Sequence, residues 1–296
     1  MQAIRIGTRG SPLALWQANY VAEQLRAVAS GRTVELHIIQ TQGDQIQNKP
    51  LAQIGGDGLF TKAIQDALLA RDADVAVHSL KDLPTIPVPG LTLAAVPPRA
   101  STRDAFISSK YFRFDDLPKG ARLATGSMRR KAQILHRRPD LNLIDIRGNV
   151  DTRLRKLKDL DLDGLILAEA GLERLGLRHV ITELLDQEWM LPAVGQGALG
   201  IECRSEDTDL RKLLERLDDP PSHRATVAER SLLLALGGGC QIPLGAQATV
   251  SEGMLRLRAA MLEPDGSKRR AAEVQGTADR AEGLGRELAK MLQSQS

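Results

Sequence analysis

Aromatic residues are scarce in this chain: two Trp, two Tyr and four Phe among 296 positions. Single-stranded nucleic acid is gripped largely by stacking bases on aromatic faces, so the scarcity argues against that class of partner. Thiols are scarcer still. Cys203 and Cys240 stand far apart and match no metal-ligand spacing, which suits a reduced, cytoplasmic protein without a metal centre. No apolar run approaches the roughly 20 residues that span a bilayer, so a membrane protein is not expected. The N-terminus enters a β-prone stretch without the pattern of a secretory signal. Net charge is small as well. Forty basic residues against thirty-seven acidic ones leave +3, too little to imply nucleic acid by itself.

What is present is ordinary globular material, 42% hydrophobic and 26% charged, enough to bury real cores. At roughly 100–200 residues per domain the length predicts two or three domains. The basic residues are unevenly placed. Residues 129–158 carry ten Lys or Arg against three Asp and no aromatic residue, a local surplus that suggests an anionic ligand.

Residues 74–84 organise the rest. Val75, Ala76 and Val77 read as a short buried strand, and His78, Ser79, Lys81 and Asp82 follow at once. Pro84 holds Leu83 extended and forbids a helix through it. Ionisable groups just past the carboxyl end of a sheet strand stand where open α/β sheets bind ligands. Asp82 beside Lys81 is the candidate for proton transfer or for stabilising a cation; solvated charges at an ordinary turn are the alternative. Upstream, 3–8 reads as a strand, and Ser11-Pro12 caps a helix whose first amides could hold an anion, flanked by Arg9. A strand at 33–40 precedes a polar, glycine-punctuated segment, 41–58, of the length that functional loops have. A helix at 59–70 leads to the central strand, and another strand is expected at 91–96. Pro97-Pro98 suggests a domain boundary.

A second α/β unit begins near Arg103, its alternation predicting parallel strands joined by crossover helices. Thr125-Gly126-Ser127 and Arg147-Gly148-Asn149 are strand-to-helix turns with Arg129 and Arg130 beside one, Arg147 and Arg153 beside the other. Converging guanidiniums would recognise a polyanion; a solvated basic face is the alternative. A strand at 198–203 is expected to return to the first sheet, and helices at 209–217 and 225–236 follow. Gly237-Gly238-Gly239-Cys240 then places a thiol on a loop free of side-chain bulk. Antiparallel strands over 246–274, with a turn at Pro264-Asp265-Gly266, and a helix over 277–293 make a small α+β unit. The expected division is 1–98 with 197–217, then 99–196, then 218–296.

Several of these segments, taken in order, resemble the porphobilinogen deaminase (hydroxymethylbilane synthase) family. They are Arg9-Gly10-Ser11-Pro12-Leu13-Ala14-Leu15-Trp16-Gln17, Ala76-Val77-His78-Ser79-Leu80-Lys81-Asp82-Leu83-Pro84, Arg147-Gly148-Asn149-Val150, Leu191-Pro192-Ala193-Val194-Gly195-Gln196-Gly197-Ala198 and Gly238-Gly239-Cys240-Gln241-Ile242-Pro243. The resemblance implies an α/β fold, two periplasmic-binding-protein-like α/β domains plus a small α+β C-terminal domain. It implies a transferase that condenses four porphobilinogen molecules head to tail into hydroxymethylbilane, releasing ammonia. It further implies a dipyrromethane cofactor in thioether linkage to Cys240, and Asp82 as catalytic acid and base. By the same matching, Lys81, Thr125, Ser127, Arg129, Arg130 and Arg147 hold the cofactor. Arg9, Ser11, Arg147, Arg153 and Arg174 hold substrate. A monomer that passes its product to a separate cyclising synthase is the family expectation. The chain departs from the family at Gln53 and Asp57, where basic residues are common, so weaker substrate binding is expected there unless Lys62 or Lys49 compensates. The alternatives are a non-catalytic anion-binding protein of periplasmic-binding-protein architecture and a weakly active homologue of the deaminases.

Overall fold

The computed structural model describes residues 3–29, 31–41, 58, 61–238 and 242–295. Gln53, Asp57, Lys49 and Cys240 lie outside the described residues. The first sheet is built from β1 (Ile4–Thr8), β2 (Val34–Ile38), β3 (Val75–Ser79) and β4 (Leu91–Ala95). The distant β10 (Leu199–Arg204) joins it, in the order β2-β1-β3-β10-β4. Apolar side chains alternate along these strands, and both faces are covered. Ile4, Ile6, Val75, Val77 and Ile201 pack under α1 (Pro12–Val28) through its Ala18, Val21, Ala22 and Leu25. Ala76 faces Ile64 and Leu68 of α2 (Lys62–Leu69) on the other side. Burial on both faces is why the β3 run is continuously apolar.

The second sheet takes β5 (Asp104–Ile107), β6 (Arg122–Ala124), β7 (Asn142–Ile144), β8 (Gly164–Ala168) and β9 (Glu183–Leu184), in the order β7-β6-β8-β5-β9. Its helices are α3 (Met128–Arg137), α4 (Val150–Asp159) and α5 (Glu169–Arg174). The two sheets share one plan: β6, β7, β8 and β9 occupy the places of β1, β2, β3 and β4, and β5 that of β10. In each sheet the three strands joined by helices run parallel, as the alternation predicts. The expectation of parallel strands throughout needs correcting for β5 and β10, which run antiparallel to their neighbours. Each enters directly from the other sheet, without a crossover helix to reverse its direction.

Two connectors, 96–103 and 185–198, carry the chain between the sheets, and they touch. Ala100 N–H donates to the Gly197 carbonyl (3.2 Å). A Cβ at Gly197, whose φ is +84°, would stand 2.5 Å from the Ala100 oxygen. Arg99 reaches from the first connector to the buried Glu229 (2.8 and 2.9 Å), which also accepts from Gly195 N–H of the second (2.8 Å).

Beyond β10, α6 (Thr208–Leu214) returns to the first core. The last unit stacks α7 (Pro220–Ala235) and α8 (Ala281–Gln293) on an antiparallel sheet of β11 (Leu244–Ser251), β12 (Met254–Met261) and β13 (Arg270–Thr277). The expected helix at 225–236 starts five residues sooner, because Asp219 accepts from Ser222 N–H (3.0 Å) and Pro220 occupies the first turn. The closing helix begins at Ala281, later than expected, after a 3-10 turn over Ala278–Arg280. A two-residue hairpin at Glu252-Gly253, both at positive φ (51° and 76°), carried no strong turn signal in the sequence.

Candidate functional site

Strand β3 delivers the central residues. At Ser79 the strand gives way to a 3-10 turn, Leu80–Asp82, which turns Leu80 into the core and leaves Lys81 and Asp82 facing out. Leu83 is extended (φ −84°, ψ 122°), as Pro84 requires. The turn is fastened on both sides. Leu80 N–H donates to the Ala198 carbonyl (3.0 Å), and Arg230 of α7 donates to the carbonyls of Leu83 (2.9 Å) and Pro84 (2.7 Å). Gly195 presses against the turn so closely that a Cβ would lie 3.1 Å from Lys81 N.

Asp82 lines a pocket with Arg9, Ser11, Gln17, Thr61, His78 and Ser79. Ser11 Oγ accepts from Ala14 N–H (3.3 Å) and so caps α1 at the pocket wall. Gln17 Nε2 donates to Ser79 Oγ (2.8 Å). Behind them the buried His78 Nε2 sits 3.2 Å from Glu202, whose carboxylate accepts twice from Gln65 (3.1 and 3.0 Å). Two sequence-predicted substrate residues, Arg9 and Ser11, thus share one pocket with Asp82.

The second sheet brings the cations. Ser127 caps α3, its Oγ accepting from Arg130 N–H (3.4 Å), while the buried Thr125 Oγ1 accepts from Ser127 N–H (3.3 Å). Asn149 caps α4 in the same way, accepting from Thr152 N–H (2.9 Å). Arg129 and Arg130, at the head of α3, are both buried against Asp104. Arg129 Nη1 lies 2.8 Å from Asp104 and donates to the Leu191 carbonyl (2.6 Å). Arg130 donates from Nε and Nη2 to Asp104 Oδ1 (3.1 and 2.7 Å) and from Nη1 to the Ile166 carbonyl (3.1 Å). Burial works hardest against the Asp104 charge, but the two guanidiniums together outweigh it and hold the carboxyl well below the usual range.

Electrostatics tie the two halves together. Lys81 reaches water, yet the protein packed around it costs its ammonium solvation and pushes it down to about 8. Asp82 and Asp104 oppose the shift, and Arg130 and Arg129 add to it. Arg153 is lowered first by burial, then by Arg130, with Asp82 acting in the opposite sense and Arg147 again lowering it. Lys81, Asp82, Arg129, Arg130, Arg147 and Arg153 therefore feel one another's charge across the space between the sheets. Arg174 is set apart. It donates to the Gly197 carbonyl (2.7 Å) and stacks over Trp16 of α1 at 5.7 Å, outside the Asp82 pocket, with burial drawing it down to about 10.

Among the described residues, Arg129 Nε and Arg147 Nε are buried without a hydrogen-bond partner, Arg147 Nε having only the Asp145 carboxylate at 3.9 Å. Desolvated guanidinium donors fit a ligand with several carboxylates, since each would satisfy a group whose burial is otherwise costly. Cys203, the other thiol, is buried in the first core and pushed up to about 11 by that burial, which leaves it inert. Sequence reasoning missed Asp104, Gln17, Thr61 and the His78–Glu202 pair. Gln17 stands in a quoted motif, but an acid opening an apolar strand and a Thr preceding a helix carry no functional signal of their own.

Comparison with known proteins bears on this arrangement. Residues 4–212 match the family model described as "Porphobilinogen deaminase, dipyromethane cofactor binding domain", and residues 224–294 match "Porphobilinogen deaminase, C-terminal domain". The chain is 48% identical over 290 residues to the porphobilinogen deaminase of Syntrophotalea carbinolica, covering 98% of this chain and 92% of that one. It is 48% identical over 291 residues to that of Pelobacter propionicus, with 98% and 94% covered. Among solved structures, the methionine binding protein MetQ is similar at 14% identity and a TM-score of 0.47, over 77% of this chain and 93% of that one.

Proposed function

From a chain that belongs to the porphobilinogen deaminase family, we propose a catalytic cleft in which Asp82 is the acid and base, with arginines of both sheets binding the carboxylates. The activity is that of a hydroxymethylbilane synthase, a transferase of tetrapyrrole biosynthesis that joins four porphobilinogen units and releases ammonia. One observation supports the site assignment above the others. Asp82 shares a pocket with Arg9 and Ser11 while its charge reaches Arg153 of the opposite sheet, and its neighbour Lys81 feels Arg129 and Arg130.

Each pyrrole carries an acetate and a propionate, so both substrate and growing chain are polyanions. Arg9 and Ser11 bind and orient the incoming porphobilinogen, and Arg147 and Arg153 serve the same end from the second sheet. Arg174 belongs to the substrate set from the rim, where it touches Trp16. When bound, the dipyrromethane cofactor supplies the pyrrole carbon to which the first substrate unit is joined. Lys81, Thr125, Ser127, Arg129, Arg130 and Arg147 are the residues that hold it, and the buried Nε atoms of Arg129 and Arg147, which lack hydrogen-bond partners among the described residues, support that role.

With Asp82 assisting as acid, the substrate's aminomethyl group loses ammonia from its ammonium form: the C–N bond breaks, its electron pair departs on ammonia, and a positive charge is left spread over the pyrrole. An ionised Asp82 beside that ring offsets the charge. Once the new carbon–carbon bond has formed, the attacked ring must lose a proton, and Asp82 accepts it and passes it on. The balance closes: ammonia carries away the electron pair of the C–N bond, and the proton from carbon leaves through Asp82 to solvent. One carboxylate serves both moments because ionised it stabilises a cation, and protonated it stores the proton.

We assign cofactor attachment to the Cys240 thiol, by the glycine-rich motif that carries it. Three domains, 1–98 with 197–217, 99–196 and 218–296, are our division of the chain. The three separate sheets support it. We read the protein as a cytoplasmic monomer that hands its product to a cyclising synthase, by analogy with the family. Among the described residues no helix is long and apolar enough to cross a membrane. Intact mass tests the attachment: wild type is expected to exceed the bare chain by two linked pyrrole units, and Cys240→Ser to match its bare chain. An excess that survives in Cys240→Ser would overturn the assignment.

A further inference from the structure

The wall of the Asp82 pocket holds a polar group that nothing among the described residues satisfies. Thr61 is 1% exposed, and its Oγ1 has no hydrogen-bond partner among the described residues. Buried hydroxyls are paired in the large majority of cases, so an orphan calls for an explanation. Thr61 stands at the N-cap of α2, where a threonine ordinarily turns its side chain back to accept from an amide of the first turn. Here it does not. The amides of Ile64 and Gln65 donate instead to the Thr61 main-chain carbonyl (3.0 and 2.9 Å), which leaves the side chain unused by the helix.

Thr61, the residue that carries this unused hydroxyl, lines the pocket together with Arg9, Ser11, Ser79 and Asp82. Its other neighbours there include Ile64 and Val77, whose side chains offer no hydrogen bond. We propose that Thr61 is a substrate-positioning residue whose Oγ1–H donates to a carboxylate oxygen of bound porphobilinogen. The inference rests on the deaminase reading above and adds to it a contact from α2. Its logic is one of cost deferred: the hydroxyl is desolvated before substrate arrives and is satisfied only when a carboxylate enters. A hydrogen bond to a charged acceptor is about twice as strong as a neutral one, so the gain falls on binding.

The test uses the holoenzyme with porphobilinogen as the probe, comparing wild type, Thr61→Val and Thr61→Ser. Valine keeps the shape and removes the hydroxyl; serine keeps the hydroxyl. Expected for Thr61→Val is a KM raised about tenfold, a kcat within about twofold of wild type, and a melting temperature equal to or above wild type. Removing an unpaired buried hydroxyl is neutral or stabilising to the free protein. Thr61→Ser is expected to restore KM. A structural role would produce the opposite pattern, with stability lost and both kinetic constants falling together. That pattern, or a Thr61→Val enzyme with wild-type KM, overturns the inference while leaving the deaminase reading intact. A wild type without turnover would overturn that reading, and this inference with it.

Discussion

Two guanidiniums converge on Asp104, and the arrangement shows how a single residue can prepare a site without entering it. Arg129 and Arg130 are adjacent in the chain and would repel each other if left alone in a buried place. Asp104 accepts from one and lies within ion-pair distance of the other, so both stay charged at the cleft wall. Lys81 then sits among these charges with its ammonium lowered to about 8 from an ordinary 10.5. The sign follows directly. A lysine is charged below its pKa, so in the cofactor-free protein Lys81 is expected to attract the cofactor's carboxylates below about pH 8 and to lose that attraction above it. The rate at which cofactor-free protein gains the mass of two linked pyrrole units during incubation with porphobilinogen is therefore expected to fall through a midpoint near pH 8. Lys81→Arg, which keeps its charge to far higher pH, is expected to move that fall upward; a fall left in place would exclude Lys81 as its origin. At this scale the sequence was partly legible. Arg9, Ser11, Lys81 and Asp82 stand in motifs where the turn itself announces a site. Asp104 and Thr61 do not, because their meaning arises only when folding brings Asp104 to arginines about 25 positions away and strips Thr61 of water.

Elements position these residues more than they contain them. The 3-10 turn after β3 is short, and its two exposed charges are aimed by what fastens it: Ala198, Gly195 and Arg230, all distant in sequence. Pro84 made the end of the strand legible, and the caps Ser11, Ser127 and Asn149 made three helix starts legible. The antiparallel direction of β5 and β10 was not, because a strand's own residues do not encode the side from which the chain arrives. The start of α7 was hidden by Pro220-Pro221, because two prolines mark a first helical turn only once Asp219 is seen capping it. Between the sheets, Gly197 meets a requirement no other residue fills: a φ of +84° and a backbone oxygen 2.5 Å from where a Cβ would be. Gly197→Ala is expected to cost about 1–3 kcal/mol for the backbone conformation alone, with more from the displaced connector. The expected readout is a lowered melting temperature together with reduced turnover, because the crossing also sets where β10 meets Leu80. Unchanged stability would mean that the two connectors do not constrain each other.

At the scale of the molecule, two sheets of one plan face each other, one bringing the carboxylate and the other most of the cations. Alternating strands and helices made the two α/β units and the small third unit readable from the chain, and the return of a strand near residue 200 to the first sheet was readable too. The repeated strand order was not, since the two halves share topology with little in their residues to announce it. The most direct measurement is the intact mass of holo wild type and holo Asp82→Asn during incubation with porphobilinogen. The account predicts a ladder of added pyrrole units in wild type, and in Asp82→Asn the same starting mass and the same fold with additions slowed about 10²–10⁴-fold. A ladder climbing at the wild-type rate without the Asp82 carboxylate would contradict it.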